Sequence, residues 1–181
     1  MSSKQDQVPG TGGRWRVAVV VGSPKPRSRT HEAALLVAER LTGAPADVVV
    51  DVVDLAPGVL AWDDAATTAA VESVRAADVV VVASPTYKAA YTGLLKVFLD
   101  RFPSDGLAGV VAVPLMLGAG PGHALAPEHT LRPVLVELGA STPTRGLYLI
   151  DRNFADPAVL DPWLARAVGQ VAAAAGQRSA R

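Results

Sequence analysis

The chain has 181 residues, half of them hydrophobic but only 5% aromatic, with a formal net charge of zero and no cysteine. The lack of cysteine excludes disulfides, thiolate metal sites and cysteine nucleophiles. The charge balance removes the electrostatic reason to expect nucleic acid or an anionic membrane as partner.

The length suits one domain with its own core. Its apolar mass is Val, Ala and Leu, as a parallel sheet covered by helices requires. Residues 1–13 are polar and Gly-rich, without the apolar core of a signal peptide, and read as a disordered tail. The domain is expected at 14–176, with a short tail at 177–181. No apolar run approaches membrane-spanning length without a charge or breaker, so a soluble cytoplasmic protein is expected.

In chain order, the β-branched run from Val17 is apolar on both faces and predicts a buried parallel strand. The loop Gly22-Ser23-Pro24-Lys25-Pro26-Arg27-Ser28-Arg29-Thr30 follows it. A helix over 31–42 buries Ala34, Val37 and Leu41 on one face, with Gly43 as its terminator. DVVVDVVD over 47–54 is a second, more polar strand, expected nearer the sheet edge. Beyond a Pro57-Gly58 turn and Trp62-Asp63-Asp64 comes a short helix over 67–76. The run 78–83 is a third strand, apolar throughout and therefore central.

Ser84 to Gly93 form the next loop, followed by a helix to about Phe102 that Pro103 ends, with Leu94, Val97, Phe98 and Phe102 on one face. A fourth strand over 109–117 contains Pro114, which places that residue at a strand end or bulge. The turn Gly118-Ala119-Gly120-Pro121-Gly122 leads to a helical stretch over 123–139 containing Pro127 and Pro133. Pro133 has no N–H for the His129 carbonyl, so the helix should kink or widen there. A fifth strand spans 144–150. Asp156-Pro157 and Asp161-Pro162 each read as an N-cap and first helical residue. Leu164, Val168 and Val171 carry the last helix to Gly176.

This alternation predicts a doubly wound α/β domain with helices on both faces, and the expected form is a flavodoxin-like five-stranded parallel sheet of order 2-1-3-4-5. Ligands of such sheets bind outside the carboxyl ends of strands 1 and 3, at the switch point. Both chemically informative loops converge there. In the first, Ser23, Ser28 and Thr30 offer hydroxyls and Lys25, Arg27 and Arg29 offer charge. The helix that follows presents unpaired N–H groups, so a phosphate meets donors and dipole together. The alternative is an ordinary strand-to-helix turn with Ser28 as N-cap. In the second loop, Pro85 and Tyr87 supply flat surface, and Thr86, Tyr87 and Lys88 offer backbone N–H groups to ring carbonyls. The alternative for Tyr87 is packing on the helix below it.

Neither a Walker A loop nor a three-glycine dinucleotide fingerprint is present. Gly22-Ser23 stands where a receiver domain needs acidic residues. No Ser-His-Asp order or metal-ligand spacing is found, and His31, His123 and His129 are too scattered for a metal site. A mononucleotide with an apolar ring remains.

GSPKPRSRT after strand 1, SPTYKAAYTGLLKVFLD after strand 3 and HTLRPVLVELGA in the fourth helix together resemble the NADPH-dependent FMN reductase family. Within it, the likeness is to the reductase components of two-component alkanesulfonate monooxygenases. It runs from about Val17 to Tyr148, with order and spacing kept. The resemblance implies that Ser23, Ser28, Arg29 and Thr30 hold the FMN phosphate and that Pro85, Thr86, Tyr87 and Lys88 line the isoalloxazine. Gly118 and Gly120 match a small-residue turn near the ring. The family often has Thr-Gly-Gly-Thr there, and this chain's Leu117-Gly118-Ala119-Gly120 lacks those hydroxyls.

What the resemblance implies for chemistry is hydride transfer from NADPH, or NADH, to flavin N5, with no side chain as acid, base or nucleophile. Reduced FMN would pass to a partner monooxygenase. A homo-oligomer, dimer or tetramer, is implied, with His129 at a subunit contact near the crevice; the alternative there is a plain proline kink with a solvent-facing His. Two other functions are weighed: an enzyme that retains FMN and reduces quinones or azo dyes, and a flavodoxin-like carrier. The carrier is disfavoured by the zero net charge, since carriers that dock on basic partners are acidic.

Overall fold

A computed structural model describes residues 14–176. The expected tails, 1–13 and 177–181, lie outside the described residues. Five parallel strands form one sheet in the order β2-β1-β3-β4-β5. They are β1 (Val17–Val21), β2 (Val48–Asp51), β3 (Val79–Pro85), β4 (Val111–Gly118) and β5 (Leu147–Ile150). The helices are α1 (Arg29–Thr42), α2 (Ala65–Arg75), α3 (Gly93–Leu99), α4 (Arg132–Glu137) and α5 (Pro157–Gly176).

Alternate strand residues point to opposite faces, and both faces are covered. Val17, Val19 and Val21 of β1, with Val79 and Val81 of β3, pack against α1 and α5. Ala18, Val20, Val80 and Val82 pack on the other side, with Leu95 and Phe98 of α3 and Leu135 of α4. The continuous Val runs of β1 and β3 are therefore two interleaved core faces. Because the chain leaves β1 toward β2 and then crosses back to β3, the switch point lies between β1 and β3.

Helix α1 is capped at both ends. Ser28 Oγ accepts from the His31 N–H at 3.3 Å, and Gly43 takes a left-handed φ of 75° while donating to Glu39.

Four local expectations need correction. Strand β2 stops at Asp51, short of residue 54, because β1, its neighbour in the sheet, ends opposite it at Val21; Val52–Leu55 turn into a 3-10 segment instead. Pro114 lies inside β4, paired with Val82, rather than at an end or bulge. The Ala112 N–H faces Ser141, so two residues on the Pro114 nitrogen faces the same side, in the gap before β5 pairing begins at Leu115. Asp161-Pro162 starts no helix, because Leu160, Leu164, Ala167 and Val171 are all buried along one continuous α5. Residues Pro121–His123 form a 3-10 turn, and the helical stretch begins only near Ala126.

The widening expected at Pro133 is present. Pro127–Leu131 is a π-helical turn in which the Arg132 N–H reaches back five residues to the Pro127 carbonyl. His129 on this turn is exposed.

Candidate functional site

The carboxyl ends of β1, β3 and β4 are stitched together by backbone hydrogen bonds. The Gly22 N–H donates to Ala83 at 2.8 Å, and the Thr86 N–H donates to Leu117 at 2.6 Å. The two informative loops and the Gly118–Gly120 turn therefore line one edge of the sheet, as the strand order requires.

In the first loop, Gly22 is needed for close approach rather than for a sharp turn. A Cβ there would meet Leu95 Cβ at 2.3 Å, so α3 rests directly on the strand end. Ser23 is only 2% exposed. Its hydroxyl accepts from the Lys25 N–H at 3.2 Å and donates to the Lys25 carbonyl at 3.1 Å, so it shapes the loop from inside. Ser28 accepts as N-cap, which leaves its O–H able to donate. Thr30 is buried in the first turn of α1. Lys25, Arg27 and Arg29 are exposed.

Arg27 is committed elsewhere. Its Nη1 lies 3.2 Å from Asp51 Oδ2 and 2.6 Å from Asp54 Oδ2, and its N–H donates to Asp51 at 3.1 Å with φ at 49°. Hydrogen bonding and charge from Asp54, then from Asp51, hold its pKa above the ordinary arginine value. Asp51 Oδ2 also contacts His31 Nδ1 at 3.2 Å, while its Oδ1 is buried without a hydrogen-bond partner. Arg29 Nη1 sits 3.4 Å from Asp151 Oδ2, bridging the loop to the residues after β5.

In the second loop, Tyr87 is 53% exposed, so it is a ring offered at the surface and not one packed on the helix below. Tyr87 and Ala90 exchange backbone hydrogen bonds at 2.9 and 3.1 Å around Lys88 and Ala89, whose φ values are 52° and 66°. Two consecutive positive φ values define the I′ geometry usually given to Asn-Gly. The sequence offered three N–H groups here; Thr86 and Tyr87 use theirs within the chain. That of Lys88 forms no internal bond among the described residues.

The Gly118–Gly120 turn rests on Tyr148 of β5. A Cβ on Gly118 would lie 1.9 Å from the Tyr148 hydroxyl, which donates to the Gly120 carbonyl at 2.7 Å. Burial raises the Tyr148 phenol above its usual pKa, with Thr86 alongside opposing the shift. Nothing stands within 4 Å of where a Gly120 side chain would begin, so that backbone faces open space.

Sequence reading missed Asp51, Thr92, Tyr148 and Asp151. Thr92 was legible as a hydroxyl before a helix: it caps Leu95 at 3.1 Å. The other three act across 24 to 122 residues of sequence, and no local pattern marks them.

The arrangement suits a flavin mononucleotide. A helix N-terminus, a hydroxyl and exposed cations stand on one side; a half-exposed tyrosine, an N–H without an internal partner among the described residues and a side-chain-free turn stand on the other. A family model described as NADPH-dependent FMN reductase matches residues 15–155. The chain is 35% identical over 145 residues to the FMN reductase (NADPH) of Escherichia coli K12, covering 78% of this chain and 76% of that protein. It is 33% identical over 155 residues to the NADH-dependent FMN reductase SfnF of Pseudomonas putida, covering 81% and 83%. Among solved structures, it is similar to an apo NADH:FMN oxidoreductase with a TM-score of 0.73 and 34% identity, over 91% of this chain and 88% of that one.

Proposed function

The chain belongs to the NADPH-dependent FMN reductase family and is an oxidoreductase acting on FMN with a nicotinamide nucleotide, and from that premise we propose that it takes FMN as an exchangeable substrate and supplies reduced FMN to a partner flavin-dependent monooxygenase. The observation that supports this reading is that the loops after β1 and β3, read here as the phosphate and ring loops, leave adjacent strands at their carboxyl ends.

In this reading, the N–H groups at the start of α1, the Ser28 hydroxyl and the Arg29 and Lys25 cations receive the phosphate. Ser23 and Thr30 hold the loop that presents them. Pro85, Tyr87 and the Lys88 N–H flank the isoalloxazine, with Thr86 anchoring that loop to β4. The Gly118 and Gly120 backbone leaves room for the ring edge. FMN, when bound, supplies the group that accepts hydride from NADPH or NADH. The protein contributes alignment and exclusion of water, and none of these residues needs to move a proton.

The same reading makes the protein a cytoplasmic homo-oligomer, with the exposed His129 of the π turn at a subunit contact. No helix among the described residues is long and apolar enough to cross a membrane.

The test is nicotinamide oxidation by purified protein with and without added FMN, beside its visible spectrum. A colourless protein whose turnover requires free FMN supports the proposal. A yellow protein active only with a quinone or azo acceptor favours a retained-flavin enzyme, and FMN binding without nicotinamide oxidation favours a carrier.

A further inference from the structure

The cations of the phosphate loop do not face the crevice as free charges. Arg27 is held by Asp51 and Asp54 at 3.2 and 2.6 Å, and Arg29 lies 3.4 Å from Asp151. Of the loop's three basic side chains, Lys25 alone has no carboxylate partner among the described residues. His31, in the first turn of α1, also turns its ring nitrogen to Asp51. The carboxylates come from three different places: the end of β2, the 3-10 turn after it, and the loop after β5.

A cation paired with a carboxylate presents a dipole, whose field falls faster with distance than that of a lone charge. A dianionic phosphate arriving at this loop therefore gains less than three basic residues would suggest. It also meets the uncompensated part of Asp51 and Asp54, which together outnumber the guanidinium they share.

We propose that Asp51, Asp54 and Asp151 are affinity-setting residues that weaken the hold on the flavin phosphate and keep FMN exchangeable. The inference rests on the reading of residues 22–30 as the FMN phosphate loop. It names a physical origin for flavin release: the loop keeps the hydroxyl, N–H and helix-terminus geometry that recognises phosphate, while its charge is countered from neighbouring segments. Recognition and retention are thereby separated. Asp51 has a second duty, because its Oδ2 also fixes the Arg27 N–H and the loop's left-handed residue.

The experiment measures FMN and riboflavin dissociation constants for the wild type and for Asp54→Asn, Asp151→Asn and the double variant, at low and high salt. Asp54 and Asp151 are both well exposed, so their substitution spares the fold. Each single variant should bind FMN about threefold tighter and the double variant about tenfold tighter, with the gain reduced by salt. Riboflavin, which lacks the phosphate, should bind all four proteins alike. Asp51→Asn should act in the same direction, whereas Asp51→Ala, which also frees the loop backbone, should bind FMN more weakly. Unchanged or weaker FMN binding in the folded Asp54 and Asp151 variants overturns the proposal, as does an equal gain for riboflavin. A wild type that neither binds nor reduces FMN overturns the functional reading instead.

Discussion

Thr92 Oγ1 donates to the carbonyl of Gly22 at 2.5 Å, joining residues 70 positions apart at the point where the loops after β1 and β3 meet. The same oxygen caps α3 by accepting from Leu95, and the Thr92 N–H donates to Ser84 Oγ at 3.0 Å. One buried residue thus ties three elements: its side chain joins the end of β1 to the start of α3, and its backbone N–H holds the end of β3.

Replacing Thr92 with Val should remove the cap and the cross-loop bond together. A loss of about 1–3 kcal/mol of stability is expected, because a cap and a buried hydrogen bond are each worth about 1 kcal/mol. Thr92→Ser keeps the hydroxyl and should recover most of it. Chemical denaturation of both variants checks this; equal stability of Thr92→Val and wild type would refute the link.

The double substitution Ser28→Ala with Arg29→Ala should raise the FMN dissociation constant at least tenfold, since charge-assisted hydrogen bonds to phosphate contribute about 1.5–3 kcal/mol each. Fluorescence titration gives the constant. Unchanged affinity in a folded protein would remove the phosphate from this loop.

Gly118 and Tyr148 are coupled through space. Gly118→Ala places a methyl against the phenol hydroxyl and should cost about 1–3 kcal/mol, as overpacking does. Tyr148→Phe removes the hydroxyl and its bond to Gly120, with a loss of about 1 kcal/mol. The double variant should be more stable than the sum of the two losses allows, since the nearest clashing atom is gone. Simple additivity in a thermodynamic cycle would contradict the contact.

Glu128 provides a pH signature. Burial pushes its carboxyl up, but hydrogen bonds from Arg132 and the Gly146 N–H, with the charges of Arg132 and Arg145, outweigh burial and hold it below the ordinary glutamate value. A carboxyl lowered in the folded state stabilises the fold above its unfolded pKa, near 4.5, and that stability is lost as pH falls through the folded value. Between about pH 5 and 3, wild type should therefore lose more stability than Glu128→Gln. Thermal melts across that range decide it, and parallel losses would assign Glu128 no role. The group matters because Arg132 also donates to the Thr142 carbonyl at 2.6 Å, tying the π turn to the approach to β5.

The order of elements was legible in the chain because it follows from local pattern, and the strand order followed from the fold type expected for that alternation. Val runs apolar on both faces demand a sheet covered twice, and Ser28, Gly43 and Pro133 announce a cap, a terminator and a widened turn through backbone chemistry alone. The positions of both loops followed from that order, while the family resemblance was carried by the residues of the loops and of the fourth helix themselves. Boundaries were less legible where the partner strand decides them: DVVVDVVD has strand periodicity to its end, yet β2 stops where β1 stops.

What tertiary structure alone decided is how the side chains in those loops are used. Three basic residues in nine look like charge offered to an anion. Only the fold brings Asp51 and Asp54 to Arg27 and Asp151 to Arg29, leaving Lys25 without a carboxylate partner among the described residues. Gly22 and Gly118 look like turn residues, but close approach by Leu95 and Tyr148 requires them. Local sequence determined this protein's backbone path because hydrogen bonding and apolar periodicity act over a few residues. The charge balance and the close contacts at the site arise between segments distant in sequence, and only their packing could settle them.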